Sequence, residues 1–290
     1  MNYTIYQEDT LKKLKETELE ILKYFVRICD ENHIDYYMYA GSLLGTIRHQ
    51  GFIPWDDDID VMMFRKDYEK FVEAFEKKKS EQFYLVSTEN EKDYFLYIPK
   101  LMMRGTRFKE WWGDQADFES GIYIDIFILE GLPEKRFRQK MHILKTRILM
   151  RMVSIAQLKF KGYPKRIQLV VNLLHGLFRA IHLSPNYLKQ KTIKVLKKYD
   201  AKNSKQCYCV STVPYPPFFG KDDFIPGKKG TFEGMTVRIP NNYDRLLQIF
   251  YGDYMKLPPE SERKNHRTSE INFGTYGEKN EFTGDYTGIQ

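Results

Sequence analysis

Two short apolar runs and a dense group of aspartates mark the segment from Tyr36 to Met63, which reads YYMYAGSLLGTIRHQGFIPWDDDIDVMM. Each run is short enough for a buried strand, and between them lie a helix-like stretch and a loop marked by Gly and Pro. Four aspartates lie within five residues where the second run begins. Because such close negative charges repel one another, the segment predicts a positive partner, and a divalent cation that carries phosphate fits best.

Asp58 and Asp60 are expected on one side of the second strand, since successive strand side chains alternate between its faces. Two residue rises separate them by ~6.6 Å along the chain. Carboxylates placed in this way can hold one or two hard cations through oxygen, as Mg²⁺ requires. An isolated Asp-x-Asp is more often a solvated acidic turn, but the Gly-Ser pair upstream favours a metal site.

This pair, Gly41-Ser42, lies where the first apolar run ends and the helix-like stretch begins. Glycine lets the backbone approach a phosphate closely, and the free N–H groups and dipole of a helix N-terminus favour an anion. Alone, such a pair is usually a turn or a cap. Followed by the aspartates, it predicts a phosphate site of the nucleotidyltransferase type.

Asp125 is a candidate for a third carboxylate, because it is the one charge in the apolar stretch GIYIDIFIL. A charge within a buried strand is unfavourable unless it is paired or bound to metal. The alternative is an aspartate on an edge strand that faces water.

The order of patterns predicts an α/β (α+β) fold, with a mixed sheet, flanking helices and a helical insertion. The segments with helical periodicity are 9–32, 42–49, 67–78, three stretches within 134–200, and 243–250. The predicted strands are 35–40, 59–64, 83–87, 95–103, 121–129 and 235–239.

Charge divides the chain into three parts. The net charge is +7, yet residues 134–205 contain 19 Lys and Arg against only Glu134 and Asp200. We therefore assign residues 1–133 to a catalytic core, 134–205 to a basic helical insertion, and 206–290 to a C-terminal part that completes the core. Within the insertion, residues 167–183 are too apolar for a solvated helix. They predict peripheral contact with a membrane, with a homodimer interface or packing on the body as alternatives. Nucleic-acid binding is not expected, because the chain carries no recognised motif for it.

The cysteines and the start of the chain indicate a cytoplasmic protein, with the inner face of the cell membrane as a further expected location. Cys29, Cys207 and Cys209 form no disulfide or zinc pattern, so we expect buried thiols in a reducing compartment. The first residues lack the pattern of a signal peptide, and no apolar run is long enough to span a bilayer.

The motif AGSLLGTIRHQGFIPWDDDIDVMM closely resembles the signature of the LicD family, and YIDIF and IPNNYDRLLQIFYGDYMKLPP also match. The resemblance spans residues 11–266. It implies a nucleotidyltransferase fold and an enzyme that moves a phosphorylated alcohol from a CDP-linked donor, with CDP-choline favoured, onto a glycan or lipid-linked glycan. Phosphocholine transfer to teichoic acid or lipopolysaccharide is the best-known bacterial activity of the family, and its fukutin relatives transfer ribitol phosphate.

The resemblance also assigns roles to matching residues. It makes Asp58 and Asp60 ligands of Mg²⁺ (or Mn²⁺), and Asp125 a further ligand or the base that deprotonates the acceptor. Gly41 and Ser42 would hold donor phosphate, and Arg48 and the segment 51–55 would shape the pocket. One departure follows Asp125, where Ile-Leu-Glu replaces the Pro-Leu-Asp of many relatives, so no role is assigned to Glu130.

Further candidates rest on weaker signals. Lys100 and Arg104, on or beside a strand, could neutralise a diphosphate, or could simply lie on a surface strand. Trp55, Trp111 and Trp112 could form a cage for a quaternary ammonium, although ordinary packing is the commoner role of such rings. His266 lies within the resemblance and is a candidate for closing the site.

Two rival functions remain open. A true nucleotidyltransferase would transfer the nucleotide itself to a sugar or alcohol phosphate. A non-enzymatic module would bind membrane or glycan, but the intact set of Gly41, Ser42 and three aspartates disfavours it. Ribitol, glycerol and ethanolamine phosphates are alternatives to phosphocholine.

Overall fold

The computed structural model describes residues 6–110, 118, 120–158, 160, 163–211, 218–265, 268–274 and 282–283. In these residues, helices and a mixed sheet form an α+β fold, which confirms the predicted class. The helices are α1 Glu8–Glu31, α2 Ala40–Arg48, α3 Arg65–Lys78, α4 Arg136–Gln157, α5 Lys165–Ala180, α6 Pro185–Leu196 and α7 Tyr243–Tyr251. The strands are β1 Tyr37–Met38, β2 Asp60–Phe64, β3 Phe83–Val86, β4 Lys100–Met103, β5 Arg107–Glu110, β6 Tyr123–Gly131, β7 Cys207–Cys209, β8 Lys228–Phe232, β9 Met235–Ile239, β10 Thr268–Asn272 and β11 Phe282–Thr283.

The central sheet has the strand order β1-β2-β6-β4-β3, and β7 pairs with the far end of β6. Only β2 and β6 are parallel to each other; the remaining pairs in this sheet are antiparallel. Every residue of β2 is buried, as are most residues of β6. Such continuous apolar strands are typical of a sheet covered on both faces. The two strands that carry the predicted aspartates therefore lie side by side in the middle of the fold.

Helix α1 covers this sheet with the apolar stripe that its sequence predicts. Its buried side chains include Leu14, Ile21, Leu22, Phe25 and Ile28, spaced by three, four and seven residues. They pack against β4, β6 and α3. The β8–β9 hairpin packs against β1 and α2.

Several boundaries differ from the sequence predictions. The first strand is limited to Tyr37–Met38, and α2 begins at Ala40, two residues before the predicted start. The predicted strand 95–103 forms only at Lys100–Met103, because Pro99 has no backbone N–H to donate to a ladder. The second strand begins at Asp60, so Asp58 precedes it rather than lying within it.

The basic segment forms three helices, as predicted, with breaks before Lys165 and before Pro185. Helix α6 packs along α4, and Lys189 Nζ donates to the backbone carbonyl oxygens of Glu91 (3.1 Å) and Lys92 (2.6 Å). Among the described residues no single helix has the length and apolar character to cross a bilayer. Helices α5 and α6 meet those criteria only as a pair, bent by 83°.

Candidate active site

Asp60, Asp125 and Lys100 lie next to one another on three adjacent strands. Asp60 pairs with Asp125 across the parallel β2–β6 ladder, and Asp125 pairs with Lys100 across the antiparallel β6–β4 ladder. Residues directly opposite in a sheet place their side chains on the same face. Lys100 Nζ is 2.7 Å from Asp125 Oδ1. The candidate aspartate therefore has a buried cation as its neighbour, on a central strand rather than an edge.

The environment of Lys100 fixes its charge. The residue is 3% exposed, its Nζ lies 3.7 Å from Glu110 and 3.3 Å from the centroid of the Tyr123 ring. Burial by itself lowers the pKa of Lys100, but Asp125 and Glu110 outweigh it, and the pKa is raised. The ammonium thus stabilises Asp125 from within the fold, which excludes the alternative of a surface strand for Lys100. Its predicted role at a diphosphate stays a prediction.

Arg104 does not join this group. It follows the opposite end of β4, four residues from Lys100, and a strand rises ~3.3 Å per residue, which places it about 13 Å away. Its guanidinium lies over the ring of Tyr84, 4.9 Å from the centroid. The structure therefore does not bring Arg104 to Asp125 and Lys100, and its role at a donor diphosphate stays a prediction.

A cavity of about 600 Å³ lies beside Asp60. It brings together five of the predicted site residues, namely Gly41, Arg48, Trp55, Asp58 and Asp60. The remaining wall consists of Ala40, Leu44, Ile53, Asp56, Tyr251, Asp253, Tyr254, Lys256, Leu257, Pro258 and Pro259. The predicted segment 51–55 and the C-terminal segment 251–259 thus form two sides of one cavity.

Ser42 connects helix α2 to strand β2. Its Oγ accepts a hydrogen bond from the backbone N–H of Asp60, with 2.8 Å between the atoms, and the residue is 3% exposed. The hydroxyl predicted to hold phosphate therefore also fixes the start of the strand that carries Asp60.

Gly41 allows a close approach, but to a carboxylate. A Cβ at this position would lie 2.6 Å from Asp56 Oδ2, so any larger residue would displace Asp56. The residue at the N-cap of α2, Tyr39, makes no capping hydrogen bond with its side chain, and this end of the helix borders the cavity through Ala40 and Gly41. Such an end favours anions, whether from Asp56 or from a ligand.

Arg48 and Trp55 hold the C-terminal wall. Arg48 Nη1 donates to the backbone carbonyl oxygen of Tyr254 (2.6 Å), and the Trp55 carbonyl oxygen accepts from Asn265 Nδ2 (2.7 Å). The guanidinium of Arg263 lies 4.9 Å from the centroid of the Trp55 ring. One face of the ring predicted for an ammonium cage is therefore covered by a cation of the chain itself.

Negative charge accumulates behind this cavity. Glu18 of α1 is 3% exposed, and burial followed by the charges of Asp58, Asp57 and Asp56 raises the pKa of its carboxyl well above the ordinary value. The oxygen chemistry of Asp58 and Asp60 fits a hard divalent cation. Within the described residues, however, no three His, Cys, Asp or Glu side chains form a metal-binding cluster. A cation here would therefore draw further oxygens from substrate or water.

The chain is similar to known proteins over the segments that carry this site. A family model described as LicD/FKTN/FKRP, nucleotidyltransferase domain, matches residues 33–145. The lipopolysaccharide cholinephosphotransferase LicD of Haemophilus influenzae is 31% identical over 272 residues, which cover 90% of this chain and 97% of that protein. The chain belongs to the LicD family. Membership makes it a LicD-type phosphotransferase. The human ribitol 5-phosphate transferase FKRP is 37% identical over 57 residues, which are 20% of this chain and 11% of that protein.

The LicD signature contains a further residue of the cavity wall, Asp56, which is not among the site residues predicted from the sequence. Asp56 lines the cavity beside Gly41, whereas Asp57 is 1% exposed and does not. Glu18 and the segment 251–259 were not recognised as parts of the site either. The match of IPNNYDRLLQIFYGDYMKLPP to the family was the available signal for the C-terminal wall, while Glu18 is one of many charges on an amphipathic helix.

Glu130, where this LicD member departs from many relatives, has a structural role. It is fully buried, and its carboxylate forms an ion pair with the guanidinium of Arg65 on α3. Burial alone lowers the pKa of Arg65, but Glu130 outweighs it and raises the pKa. The pair links β6 to α3 on the far side from the cavity wall. Cys29, Cys207 and Cys209 are buried thiols, as expected. Trp111, Trp112 and His266 lie outside the described residues.

Proposed function

We propose that this LicD-type phosphotransferase moves a phosphorylated alcohol, with phosphocholine favoured, from a CDP-linked donor to a hydroxyl of a cell-surface glycan or teichoic acid precursor, and releases CMP. The Haemophilus relative, named as a cholinephosphotransferase for lipopolysaccharide, supports phosphocholine and a glycan acceptor. The FKRP match supports the wider class of alcohol phosphates, including ribitol phosphate. We also propose that the enzyme acts in the cytoplasm.

The observation that carries this proposal is the pairing of Asp60 with Asp125 across β2 and β6, where Asp60 lines a cavity that the N-terminus of α2 also borders. In the proposed reaction the acceptor oxygen forms a bond to the phosphorus that bears the alcohol. The bond from that phosphorus to the bridging oxygen breaks, and CMP leaves with the bond's electron pair. Such a transfer needs little covalent chemistry from the protein, because positioning and electrostatics supply most of the catalysis.

In this reaction the polar groups around the cavity bind the donor or act on the acceptor. The N–H groups at the start of α2 and the guanidinium of Arg48 bind donor phosphate. Asp125 accepts the acceptor's proton or contributes an oxygen ligand, and in either task Lys100 holds its carboxylate in place.

Asp58 and Asp60 would hold Mg²⁺ or Mn²⁺. The fit is chemical, because Mg²⁺ in enzymes of phosphate transfer is commonly bound by one or two carboxylates together with substrate phosphates and water. When bound, the cation neutralises charge that develops on the phosphate oxygens.

The deciding experiment incubates the protein with a panel of CDP-choline, CDP-ribitol, CDP-glycerol and CDP-ethanolamine, with Mg²⁺ and candidate glycans, and measures CMP release. We expect release that depends on donor, cation and acceptor together. Donor labelled in the cytidine separates the rival reaction: label on the acceptor would make the protein a nucleotidyltransferase.

The metal site has its own test in Asp58→Asn and Asp60→Asn. We expect each change to lower turnover at least about 100-fold, as loss of a charge-stabilising group does, and to weaken Mg²⁺ binding measured by calorimetry with donor present. Asp9→Asn is the matched control, since this aspartate is exposed in the first turn of α1 and is not part of the cavity wall. Unchanged Mg²⁺ affinity in both site variants would exclude these ligands.

A further inference from the structure

Helix α4 has two apolar faces, of which one packs against other described parts of the protein and the other is exposed. Gln139, His142, Thr146, Leu149 and Val153 are buried. A second stripe is exposed, from Phe137 at 73% to Met141, Leu144 and Ile148 near half. At 3.6 residues per turn, spacings of four, three and four place these four side chains on one line along the helix. The buried set lies on the opposite side, so the exposed stripe points away from the core.

Basic side chains border the exposed stripe of α4 on both sides. By the same helical rotation, Lys140, Arg147 and Arg151 fall on one flank, and Arg138 and Lys145 on the other. The helix has no acidic residue between its ends. An apolar stripe between two cationic borders is the pattern of a helix that lies in a membrane interface.

Helix α5 also has one buried face and one exposed apolar face. Val171 and Phe178 are its buried residues, whereas the side chains around Leu173, itself 66% exposed, form a second apolar surface. This surface consists of Leu169, Val170, Leu173, Leu177 and, just past the helix end, Ile181. α5 packs against α4, so the two exposed surfaces belong to one helical unit.

The charge of this helical unit decides between a second copy and a lipid surface. Residues 136–180, which include α4 and α5, carry 11 basic residues and no acidic residue. A symmetric dimer through these helices would bring two strongly positive units together, which repel each other at ordinary salt concentration. A bilayer with anionic headgroups attracts the same charges, and it accepts the apolar side chains between them.

We propose that the exposed stripes of α4 and α5 dock the protein onto the surface of an anionic lipid bilayer. The apolar side chains enter the boundary between headgroups and acyl chains, and the flanking Lys and Arg bind headgroup phosphates. The helices lie on the membrane, and α6 ties them to the body through Lys189. This inference does not depend on the donor or acceptor of the reaction.

The test is co-flotation of the full chain with vesicles of phosphatidylcholine alone or mixed with phosphatidylglycerol. We expect binding to the mixed vesicles at about 0.1 M salt and weaker binding at about 1 M, where charges are screened within ~3 Å. Two double variants, Met141→Ser with Leu144→Ser and Leu173→Ser with Leu177→Ser, should each lower the bound fraction at least about tenfold, because every buried methylene adds to membrane affinity.

Ile249→Ser is the matched control. Ile249 is also an exposed apolar residue, but it lies on α7 of the body, so its variant should float like the unchanged protein. Circular dichroism spectra and thermal melting curves should show that all variants are folded, because the changed side chains are exposed. The proposal is overturned if the unchanged protein does not float with phosphatidylglycerol vesicles, or if the stripe variants float equally well. It is also overturned if sedimentation shows a dimer that these variants dissociate, since the stripes would then be a subunit interface.

Discussion

The backbone N–H of Asp60 donates a hydrogen bond to Ser42 Oγ across 2.8 Å, which ties the first residue of β2 to the first turn of α2. Both residues are buried. The proposed phosphate site at the helix and the proposed metal ligand on the strand are therefore linked by a direct hydrogen bond, although they lie 18 residues apart in the chain. Pre-positioning of this kind is the main requirement of a phosphoryl-transfer enzyme.

Ser42→Ala is expected to lower kcat by about 10- to 100-fold, because the start of β2 loses its anchor and misplacement of about 1 Å has effects of this size. The KM for the donor should change less than kcat. The unsatisfied N–H of Asp60 should also reduce the free energy of unfolding by about 1–3 kcal/mol. Steady-state CMP release and urea denaturation measure the two effects.

Thr46→Val is the control for Ser42. The Thr46 hydroxyl is also buried on α2, but it donates to the carbonyl oxygen of Ser42, one turn earlier in the same helix. Its loss should affect stability and leave kcat within about twofold, since a single bond inside one helix contributes about 1 kcal/mol. Equal kcat losses in the two variants would contradict a specific role for Ser42.

Lys100→Met is expected to destabilise the fold by about 3–5 kcal/mol, because it leaves the carboxylate of Asp125 buried without its cation. Adding Asp125→Leu should restore much of this stability and none of the turnover. Since the pKa of Lys100 is raised, its ammonium contributes fully below the ordinary lysine value of about 10.4 and is lost only as pH rises through the higher folded pKa. Deprotonation of Lys100 therefore should not change the stability of the unchanged protein between about pH 6 and pH 9, which denaturation at several pH values checks.

Arg104→Met is the control for Lys100→Met, because it also replaces a cationic side chain with methionine. Arg104 directly follows the opposite end of β4. Arg104 is exposed, so stability should stay within about 0.5 kcal/mol of the unchanged protein and turnover should be retained. A turnover loss comparable with that of Lys100→Met would return Arg104 to the site.

Glu18→Gln is expected to stabilise the protein increasingly as pH rises. The folded state raises the pKa of Glu18, so it holds a proton that the unfolded chain has released above about pH 4.3. Stability is therefore lost as pH rises from this value toward the folded pKa, and glutamine removes that loss. Melting in metal-free buffer should show a Tm gain of roughly 2 °C at pH 8, the shift that about 1 kcal/mol produces, and none at pH 4. Glu20→Gln, on the exposed side of α1, should show no such trend.

Glu130→Gln separates structural from catalytic carboxylates on β6. It breaks the buried ion pair with Arg65 and should destabilise the protein by about 3–5 kcal/mol, as unpairing a buried charge does. Measured well below the melting temperature, kcat should remain within about twofold, because the pair lies five residues along β6 from Asp125, about 16 Å away. A kcat loss like that of Asp125→Asn would place Glu130 in the reaction.

The sequence by itself determined the elements and the acidic motif of this protein. Helical periodicity predicted α1 and the three basic helices, because an amphipathic stripe is a local property of the chain. The apolar runs around Asp60 and Asp125 predicted two buried strands for the same reason. The alternation of side chains along a strand does not apply to Asp58, since β2 begins only at Asp60.

Only the tertiary structure decided which of these residues meet. The register of β2, β6 and β4 places Asp60 beside Asp125 and Asp125 beside the ammonium of Lys100. Arg104 follows the opposite end of β4 and lies away from this group. Folding also brings 251–259 against Gly41 and Asp56 from about 200 residues away, and within the described residues it leaves the second apolar faces of α4 and α5 exposed. Pairing partners, burial and charge neighbours depend on contacts between distant parts of the chain, and local patterns carry no record of them.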